Sequence, residues 1–313
     1  MNSETLGEPY VLPETAAVLA GLAAQEGPHL ASMSATDMRA TYLQLGALFD
    51  APADASVRTT SFTGGGCRMR AYFPTGATAG PAILFMHGGG YVIGDLDTHH
   101  PLCTLIATVT GLRVVAVDYR LAPEHPFPAA HDDCVAAARF VAGSPPELEA
   151  PVTAVAVAGD SAGGNLALHV ARVMGAAAVP AQLLIYPLGD STSPATGSYR
   201  EFAEGYLLDR KLMDRFLGDY LPDGNDAACV AASPALHPLA DELPPTVVLT
   251  AGLDPLRDQG RALAAAIAQT GTETHLIEAR GLIHGLATMR AALPTADHLM
   301  RRALRVFTDA ING

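Results

Sequence analysis

The chain has 313 residues, of which 49% are hydrophobic and only 16% charged, against about 25% charged in ordinary soluble domains. So few charges exclude intrinsic disorder and call for a large buried core. The 30 glycines and 23 prolines follow no period, which excludes collagen-like and low-complexity chains. Nineteen basic against 32 acidic residues leave a net charge of −13, with Lys211 the only lysine. Such a surface repels phosphate backbones and anionic headgroups, so neither nucleic acid nor stable membrane association is expected.

Met1 to Tyr10 is polar and acidic, without the apolar run of a secretory signal. No window reaches the 18 apolar residues of a membrane span; the longest, Ala176 to Leu188, is interrupted by Pro180, Gln182 and Pro187. Cys67, Cys103, Cys134 and Cys229 are far apart and form no C-x-x-C pair, which predicts reduced thiols and a cytoplasmic location. Residues 14–50 read as helix: apolar positions recur through Val18, Leu19 and Leu22, and Ser34-x-x-Asp37 has the form of a capping box before Met38 to Phe49. Pro52 to Ser56 reads as a linker.

Beyond it, short Val-, Ile- and Leu-rich runs occur at 82–86, 112–117, 152–158, 181–186, 246–251 and 274–277. They do not alternate with polar residues, as expected of parallel strands covered on both faces. Helical segments are predicted between and after them at 98–110, 127–140, 162–174, 257–269 and about 295–310. The alternation predicts a wound α/β sheet. One section breaks it: residues 190–230 hold a Ser/Thr/Pro-rich loop, a helical stretch from Asp209 to Tyr220, and Pro222-Asp223-Gly224-Asn225. An insertion there would lie over the strand ends as a cap.

The strongest local signal is Gly159-Asp160-Ser161-Ala162-Gly163-Gly164, directly after one apolar run and before a helical stretch. A serine on so sharp a strand-to-helix turn needs small residues two positions either side, and Gly159 and Gly163 supply them. The turn aims the hydroxyl at the positive end of the next helix. A hydroxyl is a weak nucleophile without a base, and the base needs an orienting acid. Among eleven histidines His284 stands out, because Gly281-Leu-Ile-His-Gly285 follows a predicted strand at the same sheet edge as the serine. His275 and His169 fall within a strand and a helix, and His29, His237 and His298 lack motif context, so these read as structural. Asp254 follows the 246–251 run and is the candidate acid; Asp258 fits the first turn of a helix, and Asp160 belongs to the elbow itself.

Acyl transfer also needs donors for a developing oxyanion. His87-Gly88-Gly89-Gly90 follows the 82–86 run, and glycines present N–H groups unobstructed. Gly88 and Gly89, with the N–H of Ala162, are the candidate donors, and His87 is read as orienting the loop. A phosphate loop does not fit, since no Lys-Ser/Thr follows. Asp95, Asp97, His99 and His100 lie close in sequence, but their spacing matches no familiar metal-ligand pattern and suits a helix start better.

These stretches, with Asp118-Tyr-Arg-Leu-Ala-Pro-Glu-His-Pro-Phe-Pro-Ala-Ala130 and Asp254-Pro-Leu-Arg-Asp258, occur in an order that resembles the hormone-sensitive-lipase-like (bacterial family IV) carboxylesterases across most of residues 80–290. The resemblance implies an α/β-hydrolase fold: a mostly parallel eight-stranded sheet flanked by helices, with a helical cap. Residues 1–50 and 190–226 would then form the cap, and 51–189 with 227–313 the core. It implies a serine carboxylesterase for small-molecule esters of short to medium chain, with Ser161, His284 and Asp254 as triad, Gly88, Gly89 and Ala162 as oxyanion donors, and neither cofactor nor metal. It also implies that Arg120, Glu124 and the three prolines near them brace the core. Leu286 and Gln259 depart from the family's usual Phe and Glu and would alter packing of the base loop. Hydrolysis of an activated amide, carbamate or lactone is the alternative within the class, and a non-catalytic ligand receptor the alternative outside it. The low charge content permits a homodimer.

Overall fold

The computed structural model describes residues 9–24, 27–193, 197–224, 226–239 and 243–313. Met1 to Glu8 and Asn225, to which expectations attach above, lie outside the described residues. The six apolar runs appear as β3 (Gly80–Met86), β4 (Arg113–Asp118), β5 (Val152–Asp160), β6 (Gln182–Ile185), β7 (Thr246–Leu253) and β8 (Thr274–Ile283), each paired in parallel with its neighbours among the six. Two further strands, β1 (Arg58–Gly64) and β2 (Cys67–Phe73), pair antiparallel with each other, and β2 pairs antiparallel with β4. The resulting order is β1-β2-β4-β3-β5-β6-β7-β8. The β1–β2 hairpin is absent from the list of apolar runs for a physical reason. β1 is an edge strand that begins Arg58-Thr-Thr-Ser and leaves alternate residues exposed, so it has no continuous apolar stretch to read.

The helices are α1 (Pro13–Ala23), α2 (Ala35–Phe49), α3 (His100–Thr110), α4 (Ala129–Ala142), α5 (Ala162–Met174), α6 (Ser198–Glu201), α7 (Arg210–Tyr220), α8 (Arg257–Gln269) and α9 (Pro294–Asn312). The helical span expected over 14–50 is therefore broken, with a 3-10 turn at Leu30–Ser32 between α1 and α2. Gly27-Pro28 explains the break, since proline lacks the N–H a helix needs and its ring excludes the preceding turn. Ser34 caps α2, its Oγ accepting from Asp37 N at 3.1 Å. The Asp37 carboxylate takes the Ser34 hydroxyl hydrogen at 2.7 Å, so only the serine half of the capping box forms.

Alternation along the strands sends Leu84 and Met86 to one face, packed with Leu166 and Val170 of α5, and Ile83 and Phe85 to the other, packed with Leu102 of α3 and Leu304 of α9. Each fully buried aliphatic or aromatic side chain contributes roughly 1.5–3 kcal/mol, so this two-sided burial holds the strand ends in fixed register. The section between β6 and β7 carries α6 and α7, and Asp209 caps α7 by accepting from Leu212 N at 2.8 Å. The same section is tied to the amino-terminal segment. Asp209 Oδ2 lies 2.8 Å from His29 Nε2, and Arg215 donates to the carbonyls of Ala31 and Met33 at 3.1 and 2.9 Å. The four cysteines are unpaired. No helix among the described residues is long and apolar enough to cross a membrane.

Candidate active site

β5 ends at Asp160, α5 begins at Ala162, and Ser161 between them has φ 57° and ψ −119°. A non-glycine residue in that region is strained, and the turn persists only because its surroundings over-determine it. Small neighbours are required here: a Cβ on Gly159 would collide with the Gly163 carbonyl, and one on Gly163 with the Met86 carbonyl. The amino end of α5 starts at the serine and favours negative charge there.

The strand ends of β7 and β8 bring the other two side chains in. β8 runs on to Ile283, beyond the predicted run, past an irregularity in its pairing with β7, and so delivers His284 directly. His284 Nε2 lies 2.9 Å from Ser161 Oγ, and its Nδ1 lies 2.7 Å from Asp254 Oδ2. Asp254 is fully buried, and its other oxygen accepts from Leu256 N at 2.8 Å. With both oxygens engaged, the carboxylate cannot rotate away from the ring, and the imidazole is held facing the hydroxyl. Tyr186, at the end of β6, packs its ring 4.5 Å from that of His284.

The rival residues go elsewhere. Asp258 sits in the first turn of α8, where it accepts from Ser198 N at 2.8 Å and contacts Arg257 and Arg261. His275 lies on the surface beside Glu273. The Asp95 to His100 group disperses: Asp95 accepts from the N–H groups of Asp97 and Thr98, Asp97 pairs with Arg70, and His100 packs on Tyr72. His99 alone turns inward, its Nε2 3.2 Å from Asp160 Oδ1 but off the axis of a straight hydrogen bond. Gln259 supports the turn after β6, accepting from Gly189 and Asp190 N–H at 3.0 and 2.9 Å, while Leu286 is buried in the core. The first therefore acts away from the base loop. Arg120 pairs with Asp133, and Glu124 with Arg39 of α2.

The glycine loop requires a correction. The N–H of Gly88 is already committed, donating to Asp160 Oδ1 at 2.8 Å, so it is not free for a substrate oxygen. Gly89, Gly90 and Ala162 instead line the cleft beside Ser161, and their N–H groups have no protein acceptor among the described residues. Sequence reading missed Gly90 because three consecutive glycines look alike until the partner of the first is known. His87 does support the loop: its ring stacks on Tyr119 at 4.2 Å, and the Tyr119 hydroxyl donates to the His87 carbonyl at 2.6 Å. Burial, then the neighbouring His99, pushes the His87 imidazole down to about 4, so it is neutral near pH 7. Burial alone would raise the Asp160 carboxyl. His99 and the Gly88 N–H outweigh it and hold Asp160 below the ordinary carboxylate value.

The cleft opens over Ser161 and His284, both of which line it. α2 contributes Tyr42, Leu45 and Phe49 to its wall, and α7 contributes Leu212, Met213 and Phe216. No lysine or arginine lines it among the described residues.

A family model described as alpha/beta hydrolase fold matches residues 83–288. The chain is similar to the carboxylic ester hydrolase LipN of Mycobacterium tuberculosis, 41% identical over 231 residues that cover 70% of this chain and 61% of that protein. It is also similar to the ethyl acetate hydrolase of Pseudomonas putida, 34% identical over 301 residues, 91% of this chain and 94% of the relative. Among solved structures, an ester hydrolase from the metagenome of Lake Arreo superposes with a TM-score of 0.90 at 36% identity, covering 97% of this chain and all of the other.

Proposed function

The chain belongs to the alpha/beta hydrolase fold family, as a carboxylic ester hydrolase, and from that premise we propose that Ser161 is its nucleophile, His284 its base and Asp254 the acid that orients the base. The observation that carries the assignment is the unbroken series Asp254 Oδ2, His284, Ser161 Oγ, with gaps of 2.7 and 2.9 Å. Ser161 Oγ attacks the ester carbonyl carbon while His284 Nε2 takes its proton. The carbonyl oxygen becomes negative and is met by the N–H groups of Gly89, Gly90 and Ala162, each such donor being worth about 10²–10³ in rate. His284 returns the proton to the leaving alcohol, then activates the water that releases the acid from the acyl-enzyme. Asp254, denied any other orientation, keeps the Nδ1 hydrogen in place and stabilises the imidazolium.

The described residues within 1–50 and 190–226 serve as the cap, and those within 51–189 and 227–313 as the core. The apolar wall from α2 and α7 favours neutral esters of short to medium chain. A homodimer through the free edge of β8, where Leu276 is 48% exposed, and a cytoplasmic location for a chain with four unpaired thiols belong to the same reading. The test is turnover of p-nitrophenyl esters from acetate to palmitate by wild type and Ser161→Ala. The variant should stay folded and lose roughly 10⁴-fold or more in kcat. Wild-type turnover by Ser161→Ala overturns the assignment.

A further inference from the structure

We propose that Asp160 and His99 are positioning residues of the oxyanion loop, the carboxylate anchoring the loop through Gly88 and the imidazole, set against the carboxylate, offsetting its charge. This rests on the donor assignment made above. Asp160 is 3% exposed and adjacent to the nucleophile, yet proton transfer does not use it. Its Oδ1 holds the Gly88 N–H at 2.8 Å, and a Cβ on Gly88 would run into the same carboxylate. Anchored there, the loop folds back, with Val92 and Ile93 N–H both donating to the Gly89 carbonyl at 3.0 and 2.9 Å. Gly89 and Gly90 are thereby fixed on the wall they share with Ser161.

A lone carboxylate so near a developing oxyanion would oppose it. His99 answers that charge. Its Nδ1 lies 2.9 Å from Thr98 Oγ1, a hydroxyl that also sits 2.9 Å from the Asp95 carbonyl. At the other nitrogen the Asp160 carboxylate lies 3.2 Å away, off the axis of a straight hydrogen bond. The ring thus spans from the Thr98 hydroxyl to the carboxylate and turns its Nε2 edge toward the Asp160 charge. Side-chain exposures of 1% and 4% keep the pair out of water, and a carboxylate buried there without a partner would be costly.

The experiment uses the full chain and two inhibitors of one chain length: an alkyl trifluoromethyl ketone, which binds as a tetrahedral oxyanion on Ser161, and the matching methyl ketone, which binds without reacting. Asp160→Ala removes the anchor, and Asp160→Asn keeps an acceptor but drops the charge. Asp160→Ala should lose about 10²-fold in kcat and in trifluoromethyl ketone affinity, with KM and methyl ketone affinity changed less than about threefold. His99→Gln should lose about tenfold in kcat alone and little more when added to Asp160→Asn, because the charge it balances is gone. The ratio of the two ketone affinities is independent of how much protein is folded, and the two conservative variants carry the test if Asp160→Ala is insoluble. Equal losses for both ketones, or simply additive effects of His99→Gln and Asp160→Asn, overturn the proposal. A fully active Ser161→Ala would instead bring down the assignment beneath it, whereas an inactive Ser161→Ala with unchanged ketone discrimination in the Asp160 variants removes this proposal alone.

Discussion

Asp50 and Arg290 meet in a two-bond ion pair, Nε to Oδ1 at 2.9 Å and Nη2 to Oδ2 at 3.2 Å, with both side chains only 2% exposed. Asp50 closes α2, the helix that walls the cleft, and Arg290 lies six residues beyond His284. The backbone reinforces the link, Ala291 and Ala292 N–H donating to the Phe49 carbonyl at 3.2 and 3.1 Å. The cleft wall and the base loop therefore hold each other.

Removing one member should be far worse than removing both. Arg290→Met leaves the Asp50 carboxylate buried without its partner and is expected to cost about 3–5 kcal/mol, while adding Asp50→Leu recovers much of that loss. Urea unfolding of the single and double variants checks this, and a single variant as stable as wild type would contradict it.

Gly90 and Phe216 touch across the cleft. Gly90 has φ 60°, and a Cβ there would collide with the Phe216 ring. Gly90→Ala is expected to lower kcat/KM by roughly 10²-fold, since it disturbs a proposed oxyanion donor. Adding Phe216→Ala should restore part of that loss by removing the collision. The rest should persist, because the left-handed backbone is strained for alanine in any surroundings. Full recovery in the double variant would show that strain contributes nothing.

Stability should fall on the acid side of neutrality. Burial first, and a neighbouring histidine second, pushes His87 down to about 4 and His131 down to about 3, whereas an unfolded histidine titrates near 6.5. As pH drops, the unfolded chain takes up these protons before the folded one. The stabilisation is therefore complete above about pH 6.5 and drains away toward pH 4 and below, on the order of a few kcal/mol for the two groups together. Unfolding midpoints at pH 7, 5.5 and 4 measure it. His131→Gln, which can still donate to Asn165 Oδ1 as His131 does at 3.1 Å, should flatten the slope; an unchanged slope would exclude His131 as a source.

The cleft should discriminate against charge. Its wall is built from side chains such as Leu30, Leu45, Phe49 and Leu208, without a cation among the described residues that line it. An acyl carboxylate would lose its hydration there with nothing in return. p-Nitrophenyl butyrate should be hydrolysed with kcat/KM at least about 10²-fold above that of mono-p-nitrophenyl succinate, and comparable values would show that the acyl chain lies outside this cleft.

Much of the fold was legible because its signals are local. α5 and α8 occupy the predicted 162–174 and 257–269, and the six apolar runs are the six parallel strands. Where contacts made elsewhere set the structure, reading stopped short. β1 is held by β2, not by its own hydrophobicity, and β8 is extended to Ile283 by pairing with β7. The glycine loop shows the same limit: Gly88 N–H is taken by a partner 72 positions away, which no local pattern reveals.

By itself, then, the order of residues determined the layered α/β architecture, the strained turn at Ser161 and the choice of His284 and Asp254 as candidates, since periodicity, proline breaks and glycine spacing act within a few positions. Only the tertiary structure decided which glycine amides remain free, that Asp160 faces His99, and that α2 and α7 wall the same cleft. Those outcomes depend on which distant groups satisfy each other's hydrogen bonds and charges once water is excluded, and that pairing exists only after the chain has folded.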